Sequence, residues 1–219
     1  MVEELEFLLP GEALDGPLQM ALDEVLLRTV ARPLLRIYRW DAPCVTFGYF
    51  QRHGEVRSSF PGVPVVRRWT GGGMVKHGED LTFSLMIPQG HPAGELPPAR
   101  FYRDLHGALA AWLASTLSTE IRLAGREETL QGPSCFAAPA LDDLLMEGRK
   151  ILGGAQRRSA GALLYQGSLQ RVGGGIDPAG MAGFLGLTVR ERKLPEGALE
   201  NANALAERRY RREEWTCRR

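Results

Sequence analysis

The 219-residue chain lacks several things. No stretch approaches 18 consecutive apolar residues, so no membrane-spanning helix is expected. Neither sign of charge dominates: 27 Lys+Arg stand against 26 Asp+Glu, a formal net charge of +1. That balance argues against a nucleic-acid binder, which usually carries a strong basic excess. Cysteine is scarce, with only Cys44, Cys135 and Cys217. An odd count, widely spaced and without a CxxC pair, is neither a disulfide framework nor a zinc site. It points to the reducing cytoplasm. The opening residues MVEELEFLLPGE have no basic n-region, so no secretory signal is expected. Lysine is scarcer than arginine by far, with Lys76, Lys150 and Lys193 the only three. A retained Lys can mark a place where the planar fork of Arg does not fit. The phosphate loops GxxxxGK[ST] and GxGxxG are both missing, as are internal repeats and low-complexity linkers.

What is present suits one globular domain: 44% hydrophobic and 24% charged residues. Leu18, Ala21, Leu22, Val25 and Leu26 recur at helical spacing and predict a helix over 16–30. Strand patterns follow at Leu34–Arg39, Cys44–Tyr49, Val63–Trp69 and Leu81–Ile87. Gln89–Pro98 has the Gly and Pro of a loop, and Ala99–Thr116 the apolar face of a second helix. Residues 124–140 look irregular. Leu144–Met146 and Lys150–Leu152 flank Glu147-Gly148 as a hairpin, and Ala162–Leu169 is a further strand. From Asp177 onward the pattern is of helix pieces, ending in an Arg-rich tail from Arg208 that is expected to be a solvated helix face. Helices mixed with sequential strands predict an α+β fold with an antiparallel or mixed sheet.

Three short stretches carry chemistry. In Arg67-Arg68-Trp69-Thr70-Gly71-Gly72-Gly73-Met74-Val75-Lys76-His77 the glycines allow positive φ and close approach to a ligand. Successive free N–H groups there suit an anion nest, and Arg67 and Arg68 beside it suit a phosphate or carboxyl group. A plain hairpin turn is the competing reading, and His77 is either structural or an acid/base group. In Gly148-Arg149-Lys150-Ile151-Leu152-Gly153-Gly154-Ala155-Gln156 a lysine sits inside a strand pattern, an unusual place for it. Its ammonium could stabilise a carbonyl oxygen or a phosphate, or lower the pKa of a nearby thiol. The alternative is an exposed strand lysine. Cys135 lies in a loop-like Gly-Pro-Ser-Cys-Phe context that suits a nucleophile, whereas Cys44 suits a buried strand position and Cys217 an exposed tail.

RRWTGGGMVKHGEDLTFSL resembles the signature of the lipoate–protein ligase and octanoyltransferase family, roughly R-R-x-[ST]-G-G-[GR]-x-V-x-H before an apolar strand. GRKILGGAQRR resembles its lysine motif, G-x-K-[IV]-x-G-x-A-Q. Met20-Ala21-Leu22-Asp23-Glu24, Val45–Gln51 and Tyr165-Gln166-Gly167-Ser168-Leu169 also fit, so the resemblance covers most of 15–170. It implies an α+β domain with a central mixed sheet, a second smaller sheet and flanking helices, shared with biotin protein ligases. One catalytic domain over 1–219, with no large C-terminal accessory domain, is the expectation. Lys150 takes the position of the family's functional lysine. Arg68, Thr70, Gly71, Gly72, Gly73 and His77 take substrate-loop positions, joined by Gly153, Gly154 and Ala155 after the lysine.

The resemblance implies three candidate reactions. In the favoured one, Cys135 takes octanoate from octanoyl-acyl carrier protein as a thioester and passes it to a lysine of a lipoyl domain of a 2-oxoacid dehydrogenase, or of the glycine-cleavage H protein. Neither ATP nor any other cofactor is needed for it. Cys135-Phe136, fifteen residues before Lys150, resembles the cysteine element of a ligase-like octanoyltransferase branch. The second is an ATP- and Mg-dependent lipoate–protein ligase acting through lipoyl-AMP; Gly73 is more ligase-like, since the transferase branch often has Arg there. The third is an amidotransferase moving octanoyl or lipoyl groups between lipoyl domains through the same cysteine. No nucleic-acid or membrane partner is expected.

Overall fold

The structure is a computed structural model that describes residues 2–129, 138–172 and 176–218. The described elements run β1 (Val2–Leu8), α1 (Gly16–Thr29), β2 (Leu34–Tyr38), β3 (Cys44–Phe47), α2 (His53–Ser59), β4 (Val65–Arg67), β5 (Val75–His77) and β6 (Leu81–Ile87). They continue with α3 (Pro92–Glu95), α4 (Pro98–Leu117), β7 (Ile121–Leu123), β8 (Leu144–Met146), β9 (Arg149–Ser159), β10 (Ala162–Leu169), α5 (Pro178–Leu185), β11 (Gly186–Arg192), α6 (Ala198–Leu205) and α7 (Glu213–Thr216). Eight strands form one mixed sheet in the order β11-β1-β2-β6-β10-β9-β8-β7, and β4-β3-β5 form a second. This is the α+β arrangement of a large and a small sheet that the sequence implied.

Local chemistry accounts for most element ends. Asp15 caps α1 by accepting the Leu18 N–H at 2.8 Å, which satisfies one of the free donors of the first turn. The β8–β9 reversal places Glu147 at φ 52° and Gly148 at φ 75°, the left-handed pair that a two-residue hairpin turn requires. α4 ends on Ser118 in the left-handed region, with its N–H bonded to the Ala114 carbonyl.

Alternation along the central strands divides the sheet into two faces. Leu35, Ile37, Phe83, Leu85, Leu163, Tyr165 and Leu169 pack with Phe101, Leu105, Leu109 and Trp112 of α4 and with Met181 and Leu185 of α5. On the other face Leu34, Tyr38, Met86 and Leu164 pack beneath Met20, Leu22 and Leu26 of α1 and Ala202 and Leu205 of α6. Val45, Phe47, Val56 and Met74 make the smaller core of the second sheet.

Several features differ from the sequence expectation, among them α2, β5 and β7, which no local pattern announced. β1 and β11 are strands, paired in parallel as Leu5↔Val189 and Phe7↔Glu191. β1 is rich in Glu, and β11 is exposed along most of its length, so neither shows strand alternation strongly. Pro92–Glu95 forms one helical turn within the expected loop. β9 runs on to Ser159, pairing with β10 from Leu152 to Ser159, well beyond the expected hairpin strand. The Arg-rich tail docks instead of facing solvent throughout. Arg209 makes a two-pronged bond to the buried Glu24 at 2.7 and 2.6 Å. Tyr210 OH donates to the same carboxylate, and Trp215 Nε1 donates to the Arg67 carbonyl.

Candidate active site

Two rows of side chains cross the sheet beneath α1, at right angles to the strands. Register places Tyr38, Thr82, Ser168 and Gly153 in one row, and Arg36, Ser84, Gln166 and Ala155 in the next. A third row, Leu34, Met86, Leu164 and Arg157, is mostly apolar. Adjacent strands lie about 4.8 Å apart, so the first row spans roughly 14 Å from β2 to β9. A cleft with about 410 Å³ of empty space, part of it open to solvent, lies along it. Gly153, Gly154 and Ala155 line it at the β9 end, Tyr38, Trp40 and Met20 at the other, and Thr46, Arg68 and His77 along one side.

The polar wall is a continuous chain of hydrogen bonds. Asp23 of α1 accepts from Arg36 Nη1 at 2.6 Å, from Gln166 Nε2 at 2.7 Å and from Ser84 Oγ. Gln166 Oε1 accepts from Thr70 Oγ1 at 2.7 Å. Arg68 reaches Thr46 Oγ1 at 2.8 Å and the carbonyls of Gly71 and Gly73 at 2.8 and 2.9 Å. Thr46 Oγ1 lies 2.7 Å from His77 Nε2, and His77 Nδ1 lies 2.8 Å from Asp80 Oδ2. Ser168 and Thr82 also donate to Asp80, at 2.6 and 2.7 Å. The network assigns His77 the Nδ1–H tautomer, with Nε2 accepting from Thr46.

Burial pushes the His77 pKa down, against the raising effect of Asp80, and the Arg68 guanidinium adds to the fall. Burial alone would raise Asp80, but hydrogen bonds from His77, Ser168 and Thr82 hold it below its ordinary range. His77 is therefore a neutral wall residue at neutral pH, held by a carboxylate. Its ring stacks on Trp40 at 4.1 Å. The same two residues wall a larger charged recess lined also by Asp41, Lys76, Glu79 and Arg171.

Lys150 sits at the β9 end. Its ammonium is 2.6 Å from Asp143 Oδ2, with the two side chains 5% and 1% exposed. An ideal Cβ on Gly153 would lie 2.6 Å from Lys150 Cε and 2.7 Å from Nζ. The lysine thus occupies the space that Gly153 leaves open beside the cavity. The expectation of a strand lysine in a functional position is compatible with this geometry, and the exposed-lysine alternative is not.

The glycine loop follows Arg68 and Thr70 of the polar wall and packs against the end of β3. Gly71, Gly72 and Gly73 do not appear among the residues lining the cavity. Gly72 has φ 87°, and its carbonyl would lie 2.0 Å from a Cβ on Gly48, so these two glycines let the loop and β3 meet. Arg67 is fully buried and bonded to the carbonyls of Tyr49, Gln51 and Thr216. The pairing of Arg67 with Arg68 as ligand-facing cations is therefore corrected. Arg67 ties the tail to β3–β4, and Arg68 braces the loop while lining the cavity. Cys44 is buried, and its thiol is pushed up to about 12, first by burial and then by nearby carboxylates, which leaves it unreactive. Cys217 is exposed. Cys135 lies outside the described residues. Among the described residues no three His, Cys, Asp or Glu side chains gather as a metal site.

Asp23, Asp80, Asp143, Tyr102, Gln166 and Ser168 were not singled out as site residues. A signal for some of them existed. Arg36 in LLRIY, Thr82 and Ser84 in LTFSLMI, and Gln166 and Ser168 in ALLYQGSL are polar residues at alternate positions of otherwise apolar strands. Such a pattern marks one face that is not pure core.

A family model, the lipoyl protein ligase A/B catalytic domain, matches residues 15–174. The chain belongs to this family. Octanoyltransferase LipM of Staphylococcus aureus (strain NCTC 8325 / PS 47) is 34% identical over 184 residues, covering 77% of this chain and 66% of that protein. Octanoyltransferase LipM of Oceanobacillus iheyensis is 37% identical over 168 residues, covering 71% and 60%. The chain thus spans just under two thirds of the length of these curated relatives. A crystal structure of lipoate-protein ligase A bound with ATP has a TM-score of 0.74 at 22% identity, over 99% of both chains. The putative lipoate protein ligase Ta0514 from T. acidophilum, with bound lipoic acid, has a TM-score of 0.75 at 21% identity over the whole of both. At those identities the likeness shows the fold, which is that of the ligase A/B catalytic domain. No helix among the described residues is long and apolar enough to cross a membrane.

Proposed function

We propose that the protein is an octanoyltransferase that moves an octanoyl group from acyl carrier protein, through a thioester on Cys135, to a lysine of a lipoyl domain or of the glycine-cleavage H protein. The observation that carries this reading is the set of relatives named octanoyltransferases, at 33–37% identity over 68–80% of the chain. The cavity adds support. It runs across the strands past Gly153, and the surface exposed in it is mostly apolar. Each methylene buried there is worth about 0.8 kcal/mol.

In the first half of the reaction the Cys135 thiolate attacks the carrier thioester carbonyl. The oxyanion of the tetrahedral intermediate meets the Lys150 ammonium, and the carrier thiolate leaves. In the second half the neutral ε-amine of the acceptor lysine attacks the acyl-enzyme. An amide forms, the amine loses its proton, and Cys135 is released. Replacing a thioester by an amide is downhill, so the reading needs no ATP. Arg68, Thr70, Gly71, Gly72, Gly73, His77, Gly153, Gly154 and Ala155 would shape the acyl site. Of these, Arg68, His77, Gly153, Gly154 and Ala155 line the cavity directly.

The test is intact-protein mass spectrometry after mixing the protein with octanoyl-acyl carrier protein without ATP. The expected result is a gain of about 126 Da, one octanoyl group on a reactive thiol, lost in Cys135→Ala. Gly73 in the ligase-like position favours a second reading, lipoate–protein ligase. Acceptor modification only with ATP, Mg and free acid would establish that one instead. Transfer only from an already modified lipoyl domain would make the protein an amidotransferase.

A further inference from the structure

The ion pair at the cavity end is more elaborate than packing requires. Asp143 Oδ2 accepts from Lys150 Nζ and from the Ala140 backbone N–H, both at 2.6 Å. Asp143 Oδ1 accepts from Tyr102 OH, also at 2.6 Å. Tyr102 OH in turn accepts from the Gly154 backbone N–H at 3.1 Å. The Tyr102 ring lies 3.9 Å from the ring of His106, whose Nε2 is 2.6 Å from Tyr165 OH. α4, β9 and the turn before β8 therefore meet at one carboxylate. Burial, with Tyr165 and Asp143 beside it, raises the Tyr102 pKa well above its ordinary value, so this phenol remains a donor.

A buried Asp–Lys pair seldom repays its desolvation in stability, and apolar residues of the same volume would often serve a core as well. What this one achieves is placement. A lysine side chain has four rotatable bonds and no preferred end point. Here its end is confined between Asp143 and the bare Cα of Gly153, whose absent Cβ would lie 2.7 Å from Nζ and 3.2 Å from Asp143 Oδ1. The confinement sets the ammonium beside the cavity before substrate arrives, which is where a preset charge is most effective on a developing oxyanion.

We propose that Asp143, backed by Tyr102, is the positioning residue of Lys150. It touches neither the acyl group nor the reacting carbonyl, and it takes no proton in the cycle. Its part is to hold the ammonium over Gly153 so that the oxyanion formed at the thioester carbon meets it without reorganisation. The inference rests on the acyl-transfer reading, in which Lys150 faces that carbonyl.

The experiment is a double-mutant cycle on the full chain, using Asp143→Asn, Lys150→Met, the pair together, and Tyr102→Phe. Octanoyl transfer by the unaltered protein is measured first. In Asp143→Asn we expect kcat to fall about 10- to 100-fold, the range for a displaced catalytic group, with KM for the octanoyl carrier nearly unchanged. Tyr102→Phe should fall in the same direction by less. On the Lys150→Met background, Asp143→Asn should cost nothing further, since the group it positions is gone. A crystal structure of Asp143→Asn should show Nζ displaced from Gly153. An equal loss on both backgrounds, a loss that tracks thermal stability, or Nζ still over Gly153 would overturn the proposal. If the unaltered protein transfers only with ATP and free acid, the transferase reading fails. The same cycle run on that reaction then decides the role of Asp143, because Lys150 would face an acyl carbonyl there too.

Discussion

The two faces of the eight-stranded sheet obey different rules. Toward α4 and α5 the strands present Leu35, Ile37, Phe83, Leu85 and Leu163, and the buried surface is almost all carbon. Toward α1 the same strands present Arg36, Thr82, Ser84, Gln166 and Ser168, all buried and all hydrogen-bonded. The first face holds the fold together by area removed from water. The second accepts desolvated polar groups, each satisfied by a neighbour, and leaves a cavity between them. A face built that way suits a ligand better than a core, because polar partners fix directions that carbon contacts do not.

The largest test of this difference is Asp23. Asp23→Ala would leave the buried Arg36 guanidinium, Gln166 and Ser84 without a shared acceptor. We expect a loss of about 3–5 kcal/mol by chemical denaturation. Asp23→Leu with Arg36→Met should recover most of it, because the cost lies in the stranded charge.

Neighbouring glycines sharpen the contrast. Gly154 faces the α4 side, where a Cβ would lie 2.1 Å from Tyr165 OH; Gly153 meets the flexible end of Lys150. Gly154→Ala should cost about 1–3 kcal/mol through overpacking. Gly153→Ala should lower transfer at least about 10-fold by moving the lysine, and destabilise only as far as the buried Asp143 loses its partner. Equal effects on stability would erase the distinction.

The apolar face holds a buried histidine that titrates. Burial lowers the His106 pKa to about 3, and the Lys150 ammonium adds to the fall. Its unfolded value is near 6.5. Between those values the unfolded chain binds a proton that the native chain does not, so stability is full above about pH 6.5 and declines as pH falls toward 3. His106 should contribute a slope of up to about 1.4 kcal/mol per pH unit in that window. Denaturation midpoints of His106→Gln measured across pH 3.5–6.5 should be flatter by that amount; an unchanged slope would place the acid sensitivity elsewhere. The smallest effect is expected at the sheet edge. Leu187 is 88% exposed on β11, and Leu187→Thr should change stability by less than about 0.5 kcal/mol.

Legibility followed the strength of local signals. The helices over 16–29 and 98–117, the 144–152 hairpin and the strands at 34–38 and 81–87 were each readable from a period or a turn. β11 was not, because its partner β1 lies more than 180 residues away in sequence and its own residues stay mostly exposed. Lys150 stood out because lysine is rare in the chain and this one interrupts a strand. Asp143 did not, since an Asp beside another Asp before a hairpin resembles ordinary turn chemistry. Arg67 and Arg68 are identical in sequence, yet one binds backbone carbonyls beneath the C-terminal tail and the other lines the cavity.

The sequence by itself determined the family, the element types wherever apolar periodicity was strong, and the positions of the glycine loop and of the strand lysine. Those are local properties, set by side-chain chemistry and spacing along the chain. Only the tertiary structure decided which arginine lines the cavity, which carboxylate holds Lys150, and that polar residues from β2, β6 and β10 align as rows under α1. Strand order and register bring those groups together, and both come from pairings between distant segments that no local pattern specifies.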